Sequence, residues 1–344
     1  MRIQKLFKAV KDSICGLAAL SAVALSPYAA RAQDIIEVEI PKADGADVSG
    51  PTSAGRNIIF PINRPGTTGH RIGVFTPEGR PFAVFVPTTH EEQLEGADVK
   101  NVAKGPGGAW GTRYDANDVI KLNLGSGRFK KFALPPNSGP FDLVQGSGGM
   151  FVTLKIANQI AKLNSRGQVK ATYDIPTPNS GVSLIVRGGG AFRTSVFFLE
   201  SNVNKVGAFN TVTETFNEYP LPAAWGKPKD IAVDPKTGNL LLVTENGYFG
   251  SMTPTGSFTA FPEPGGTRLT GVAVDPKGKV ACTSHQGGTI YCATTNGEPL
   301  VSMQVPTDAP DLIGVAFFRG GKPQRGLSLE RDQGQAAIFP VPKP

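Results

Sequence analysis

The chain is poor in the residues that build histidine or cysteine metal centres. Among 344 residues it has three cysteines, three histidines, two tryptophans and four methionines. So few histidines exclude a histidine-rich metal site, and the cysteines are too few for a four-cysteine zinc site. No P-loop, G-x-S-x-G or C-x-x-C motif is present, and no long apolar run follows the N-terminal region. The chemistry must therefore come from scattered polar side chains that the fold brings together.

An export signal accounts for the first 32 residues. A basic segment precedes a small apolar stretch at residues 14–26, and Ala30-Arg31-Ala32 is an A-x-A cleavage site. We predict cleavage between Ala32 and Gln33 and an exported protein, in the periplasm or secreted. The apolar stretch is too short to span a bilayer. We therefore expect no membrane span.

The net positive charge is also small once this leader is removed. The leader carries five of the 35 basic and one of the 28 acidic residues, which leaves a net charge of about +3 in residues 33–344. No long lysine or arginine run remains. Nucleic acid is therefore not an expected partner.

A short alternating strand that closes on proline recurs along the chain. The copies are residues 35–41 (IIEVEIP), 81–87 (PFAVFVP), 129–135 (FKKFALP), 171–176 (ATYDIP), 216–222 (FNEYPLP), 258–264 (FTAFPEP) and 301–306 (VSMQVP). Their closing prolines lie 46, 48, 41, 46, 42 and 42 residues apart. This period, built from short strands, is typical of a β-propeller with one repeat per blade.

The repeats predict an all-β fold of seven four-stranded antiparallel blades in a single domain, residues 33–344. The blades are predicted at 43–87, 99–135, 141–176, 182–222, 229–264, 270–306 and 312–342. The last repeat lacks an outer strand, so we expect residues 35–41 to complete it and close the ring. Residues 43–56 make a poor strand, and six blades plus an N-terminal extension is the alternative. Innermost strands are expected to be the most continuously apolar.

Two cysteines remain in the mature chain, Cys282 and Cys292. Both lie five residues from Gly287 in a turn, so they should face each other across a hairpin. We predict a disulfide in an oxidising compartment, with two buried thiols as the alternative.

Residues 195–222 read SVFFLESNVNKVGAFNTVTETFNEYPLP. This resembles the repeat of the virginiamycin B lyase (streptogramin lyase) family, whose blades run W-F-T-E-x-x-x-N-K-I-G-R-I and end in T-E-Y-P-L-P. Partial copies span most of residues 99–306. The resemblance implies a propeller that opens a cyclic depsipeptide by elimination with a divalent metal such as Mg²⁺. It also implies histidines at the starts of innermost strands and a glutamate ending a second strand of the last blade.

The histidine positions of that family are not matched here. The corresponding residues are Phe141, Ser183, Lys229, Thr270 and the stretch 311–313. Glu330 alone matches, as the second-strand glutamate, and is the candidate catalytic residue. If the protein is an enzyme, we expect a metal-dependent lyase acting on a cyclic ester or depsipeptide, or a lactone hydrolase.

One face of a propeller collects the turns between second and third strands and the links between blades. The residues expected on that face give two candidate sites. The ligand-binding candidates are Arg113, Glu200, Trp225 and Lys227, and the metal-ligating candidates are Glu245, His285 and Glu330. The alternative for the two glutamates is turn capping, and the alternative for Trp225 is packing.

Intact repeats with unmatched catalytic positions favour binding over catalysis. We expect an exported, monomeric propeller that holds a small molecule, a peptide or a cell-envelope protein, with no cofactor that the sequence fixes. A scaffold role in an envelope complex is the third possibility.

Overall fold

The structure is a computed structural model. It describes residues 35–40, 46–48, 50–63, 71–78, 80, 98–124, 126, 128–262, 268–308, 310–320, 322–331 and 333–344. The predicted cleavage site at Ala32 and Gln33 and the predicted outer strand at 81–87 lie outside these residues. In the described part of the chain, no helix is long and apolar enough to cross a membrane.

The described residues form seven antiparallel sheets of four strands arranged as a propeller. In blade 1 the strands are β2 (Asp47–Val48), β3 (Thr52–Ala54), β4 (Asn57–Asn63) and β5 (Arg71–Phe75). Blade 2 contains β6 (Val99–Gly105), β7 (Gly108–Arg113), β8 (Asp118–Leu122) and β9 (Phe129–Ala133). Blade 3 contains β10 (Pro140–Gly146), β11 (Gly149–Leu154), β12 (Gln159–Leu163) and β13 (Val169–Asp174). Blade 4 contains β14 (Val182–Arg187), β15 (Ser195–Glu200), β16 (Lys205–Asn210) and β17 (Thr215–Pro220).

The remaining three blades follow the same plan. Blade 5 contains β18 (Pro228–Val233), β19 (Leu240–Thr244), β20 (Phe249–Met252) and β21 (Phe258–Ala260). Blade 6 contains β22 (Leu269–Val274), β23 (Val280–His285), β24 (Thr289–Thr294) and β25 (Pro299–Gln304). Blade 7 contains β26 (Leu312–Phe317), β27 (Arg325–Glu330) and β28 (Gln335–Pro340), with β1 (Ile36–Glu39) as its outer strand. The seven-blade prediction is confirmed.

Blade 1 departs most from the pattern, at the place where the sequence is weakest. Its innermost strand is split into β2 and β3, which both pair with β4. Gly50 lies between the two pieces with a φ of 55°, a backbone conformation that glycine adopts without steric cost.

The ring closes through β1, as predicted. This strand pairs with β28 from Ile36–Ile338 to Glu39–Gln335. Ile35 and Ile40 flank β1 and are buried in different clusters, one between blades 6 and 7 and the other between blades 7 and 1. The closing strand therefore contributes to the packing on both faces of blade 7.

The core is divided among the interfaces between blades. Each of the seven apolar clusters in the described residues is built from one pair of adjacent blades, and together they run around the whole ring. Blades 3 and 4, for example, share Phe151, Val196, Phe198 and Phe209. Burial of apolar area between neighbouring sheets is thus the main stabilising contribution.

Second strands, not innermost strands, are the most completely buried. All residues of β15, β19 and β23 are buried, whereas β14 of the innermost layer alternates into half-exposed positions. The expectation for innermost strands is corrected. An innermost strand has one edge on the axial cavity, whereas a second strand has strands at both edges and a blade on each face.

The predicted disulfide is present. Cys282 in β23 and Cys292 in β24 are bonded and lie directly opposite each other in the antiparallel register. Both are fully buried between blades 6 and 7.

Candidate functional site

The second strands all end at the same face of the ring. Their last residues pair with the first residues of the innermost strands, as in Val182 with Glu200 and Leu312 with Glu330. The seven equivalent residues are Asn63, Arg113, Leu154, Glu200, Thr244, His285 and Glu330, and all are buried. This layer therefore lies within the ring wall, and the described residues that follow its members directly are partly or fully exposed.

An axial cavity of about 730 Å³ opens at that face. Its wall is formed by the innermost strands of all seven blades, with Lys155, Ser201 and Arg331 contributed from just beyond the second strands. Hydroxyl groups and basic side chains mark the mouth. Aliphatic residues such as Val144, Val186 and Val233 line the deeper part, and Arg187 lines the end of the cavity opposite the mouth. A concave site with an apolar floor and a few polar groups is the usual form of a small-molecule pocket.

Two aspartates of the cavity wall connect neighbouring blades. Asp142 of blade 3 accepts hydrogen bonds from the backbone N–H groups of Leu143, at 2.8 Å, and Ile185 of blade 4, at 2.9 Å. Asp230 of blade 5 accepts from Ile231 and from Val272 of blade 6, both at 2.8 Å. Burial raises the pKa of each carboxyl to about 7, against the opposing effect of these hydrogen bonds.

The two aspartates occupy equivalent bulges. Each is the third residue of its innermost strand, where the register with the second strand shifts. Neither aspartate is among the site residues predicted from the sequence. A recurring proline-x-Asp triplet followed by Leu or Ile, at residues 140–143 and 228–231, was the signal that could have identified both.

Lys227 is the one ligand-binding candidate of the four that lines the cavity. It is exposed and lies in the link between blades 4 and 5. The cavity lining also includes Phe141, Ser183, Lys229 and Thr270, four of the positions at which the resemblance implies histidines.

The other three ligand-binding candidates lie in the ring wall. Arg113 is 4% exposed, and its Nε and Nη2 atoms donate to the two carboxylate oxygens of Asp118 in the next strand. Trp225 is 3% exposed in a short 3₁₀ turn, where its ring stacks on Tyr248 with centroids 5.7 Å apart. Glu200 is fully buried. Arg113 is thus held by an ion pair and Trp225 by aromatic packing, and neither lines the cavity.

The three metal-ligating candidates are not brought together. Within the described ranges, no group of three or more His, Cys, Asp or Glu side chains is arranged to hold a metal ion. Glu245 lies one residue beyond the buried layer, with a side chain that is 44% exposed and 3.9 Å from Lys229. His285 and Glu330 belong to the buried layer. Because Glu245 lies one residue beyond the end of its second strand, its side chain faces solvent, whereas His285 and Glu330 are buried.

His285 is buried and contacts a hydroxyl group of its own strand. Its Nε2 atom lies 2.9 Å from the Thr283 hydroxyl, and burial lowers its pKa to about 4. The imidazole is therefore neutral near pH 7 and packs inside blade 6.

Glu200 and Glu330 belong to a buried arrangement that occurs twice. In each case a second glutamate lies in the outer strand of the same blade. It is Glu218 in blade 4 and Glu37 in blade 7, and the two occupy equivalent register positions. Thr177 and Thr307 donate backbone N–H bonds to these partners at 3.0 and 2.7 Å. Burial, followed by the charge of the neighbouring glutamate, raises the pKa of both Glu200 and Glu330 to about 7.

These two pKa values predict a stability that falls with rising pH. The folded chain keeps both protons up to about pH 7, whereas the unfolded carboxyls lose theirs near pH 4.5, so folding is penalised progressively between these values. Between pH 5 and pH 8 the free energy of unfolding of the double variant Glu200→Gln/Glu330→Gln should fall by about 2–5 kcal/mol less than that of wild type, the upper value being the full effect of both raised pKa values. Denaturant unfolding at each pH measures this, with exposed Glu245→Gln as the control. Parallel pH profiles for wild type and the double variant would contradict it.

Comparison with known proteins agrees with this architecture. The profile of the Virginiamycin B lyase family matches residues 65–322. A streptogramin B lyase structure superposes with a TM-score of 0.73 at 23% identity, covering 89% of this chain and 97% of the other. A catalytically inactive histidine-to-alanine variant of virginiamycin B lyase from Staphylococcus aureus, determined with quinupristin, gives a TM-score of 0.74 at 19% identity, covering 89% and 99%.

No curated protein sequence matches the chain significantly. The two structural similarities are at low identity and show the shared fold. The profile match is the stronger result, because it extends over about three quarters of the sequence and includes most of the residues that form blades 2 to 6. The chain therefore belongs to the virginiamycin B lyase family.

Proposed function

We propose that this protein is an exported propeller that binds a small molecule or short peptide in its axial cavity without cleaving it. The observation that carries the proposal is the 730 Å³ cavity, which is walled by all seven blades and has hydroxyl and basic groups at its mouth. The leader at residues 1–32 supports export, and its resemblance to Gram-negative signals favours the periplasm.

The residues at the mouth support binding over the family's metal chemistry. Ser183, Lys229 and Thr270 stand where the family resemblance implies histidines, and lysines repel a divalent cation. Glu330, the matched glutamate, is buried in the wall and is not part of the cavity lining. These residues do not fit a catalytic Mg²⁺ site.

A cavity-filling variant tests this proposal without knowledge of the ligand. We expect some members of a library of small acids, sugars, nucleobases and short peptides to raise the melting temperature of wild type but not of Thr270→Trp. Thr259→Trp, which places the same side chain on the exposed outer strand β21, is the matched control and should respond as wild type does. If no compound distinguishes Thr270→Trp from the control, the cavity is not a binding site.

Family membership supports a second candidate, a divalent-metal-assisted lyase. Its test is incubation with quinupristin and Mg²⁺, followed by chromatographic separation of the ring-opened isomer. A product that forms with wild type and is lost in Glu330→Gln would establish this alternative. Under the binding proposal we expect the cyclic compound to be recovered unchanged.

A further inference from the structure

The mouth of the axial cavity is lined by five cationic side chains. They are Lys100, Lys155, Lys227, Lys229 and Arg331, from the innermost strands, the second-strand ends and one inter-blade link. Carboxylates at the rim pair with three of them: Lys100 with Asp98 at 3.6 Å, Lys229 with Glu245 at 3.9 Å, and Arg331 with Asp311 at 3.2 Å.

Lys155 and Lys227 differ from the other three. In the described part of the chain, neither ammonium group has a carboxylate oxygen within 4.0 Å. The ammonium of Lys155 lies 4.7 Å from the centroid of the Phe141 ring, which positions it by a cation–π contact and leaves its charge uncompensated by any acid. These two lysines are therefore the cations of the mouth best able to accept an external anion.

Blade 4 connects the two lysines through a row of hydroxyl contacts. The Thr153 hydroxyl, two residues before Lys155, donates to the carbonyl of Ser183 at 2.7 Å. The hydroxyls of Ser183 and Ser201 lie 3.2 Å apart. The Ser201 hydroxyl donates to the carbonyl of Pro228, next to Lys227, at 3.3 Å. Lys155, Ser183, Ser201 and Lys227 thus form one arc of the cavity mouth, called here the blade 4 arc.

The acidic side chains of the cavity wall compensate little of the positive charge of this arc. The carboxylates of the lining are Asp142 and Asp230, and both already accept backbone N–H bonds from two strands. Since burial raises the pKa of each to about 7, part of their negative charge is neutralised by protons at neutral pH. An anion that enters the mouth meets the ammonium groups of Lys155 and Lys227, while both acids of the lining already accept backbone hydrogen bonds.

We infer that the ligand of the axial cavity carries an oxyanion group, a carboxylate or a phosphate, that the blade 4 arc binds between Lys155 and Lys227. The inference rests on the proposed function and specifies its ligand class. The two ammonium groups supply charge-assisted hydrogen bonds to the oxyanion, and the Ser183 and Ser201 hydroxyls, whose protons are used within the arc, join the strands that carry the two lysines. The apolar floor then receives the non-ionic part of the ligand.

Calorimetric titration of the mature protein with citrate and with pyrophosphate, in buffer of low ionic strength, tests the inference. We expect at least one of the two anions to bind, with an affinity about tenfold or more weaker in Lys155→Gln/Lys227→Gln. The matched control is Lys130→Gln/Lys170→Gln, which removes the same charge from exposed positions of outer strands and should leave binding unchanged. Preference between citrate and pyrophosphate separates a carboxylate ligand from a phosphate ligand.

Two results would overturn the inference. One is that neither anion binds wild type, and the other is that the arc variant and the control lose affinity equally, as a general charge effect requires. Failure of the ligand class is distinguishable from failure of the proposed function. A neutral library compound that stabilises wild type but not Thr270→Trp would retain the cavity as a binding site and reject the anion, whereas no cavity-dependent compound would reject both.

Discussion

Replacing Trp225 with alanine should lower the free energy of unfolding by about 3–5 kcal/mol, the range for deletion of a large buried aromatic side chain. Its ring stacks on Tyr248, meets Phe258 edge-on at 5.7 Å, and packs among Leu242 and other residues shared by blades 4 and 5. Denaturant unfolding of the purified variant measures the change. The loss is expected without any direct effect on the cavity, because Trp225 is absent from its lining.

The control for Trp225→Ala is Val212→Ala, at a side chain that is 66% exposed, which should change stability by no more than about 0.5 kcal/mol. A Trp225→Ala protein with wild-type stability and weakened ligand binding would show that the indole acts as a ligand platform. That outcome would favour the hypothesis drawn from the sequence over the packing seen in the structure.

The architecture could be predicted from the sequence because the same strand pattern recurs several times along the chain. One weak strand pattern is ambiguous, but copies at intervals of 41–48 residues identify a ring of blades even where one copy, in blade 1, is irregular. The closing role of β1 followed from counting strands in the last repeat. The disulfide followed from the symmetric placement of Cys282 and Cys292 about a turn.

The site could not be predicted to the same degree, because a shift of one residue decides where a side chain points. Glu245 and Glu330 look equivalent in the sequence, but Glu330 ends a second strand and Glu245 follows one. Successive strand residues face opposite sides, so one carboxylate is buried and the other exposed. Trp225 is a related case, since a link that contains glycine and proline suggests an exposed side chain although the turn directs the ring inward.

Weakening the closing strand should have a still larger effect on the whole ring. We expect the double variant Ile35→Ala/Ile40→Ala to lose about 4 kcal/mol or more, because each substitution removes a buried side chain from a different cluster and the two losses should add. Ile36→Ala is the matched control within the same segment, since Ile36 is 52% exposed and its loss should cost no more than about 0.5 kcal/mol.

The location of the damage distinguishes this mechanism from general destabilisation. If β1 detaches, the backbone groups of β28 from Gln335 to Ile338 lose their pairing partners, and an unpaired strand edge is exposed. Hydrogen exchange in Ile35→Ala/Ile40→Ala should therefore accelerate first in β28 and in β1, well before blades 3 and 4. Exchange that rises evenly around the ring would mean that the propeller unfolds as one unit and that β1 is not its weakest closure. Exchange confined to blade 7 would show that the chain's first described strand holds the ring shut.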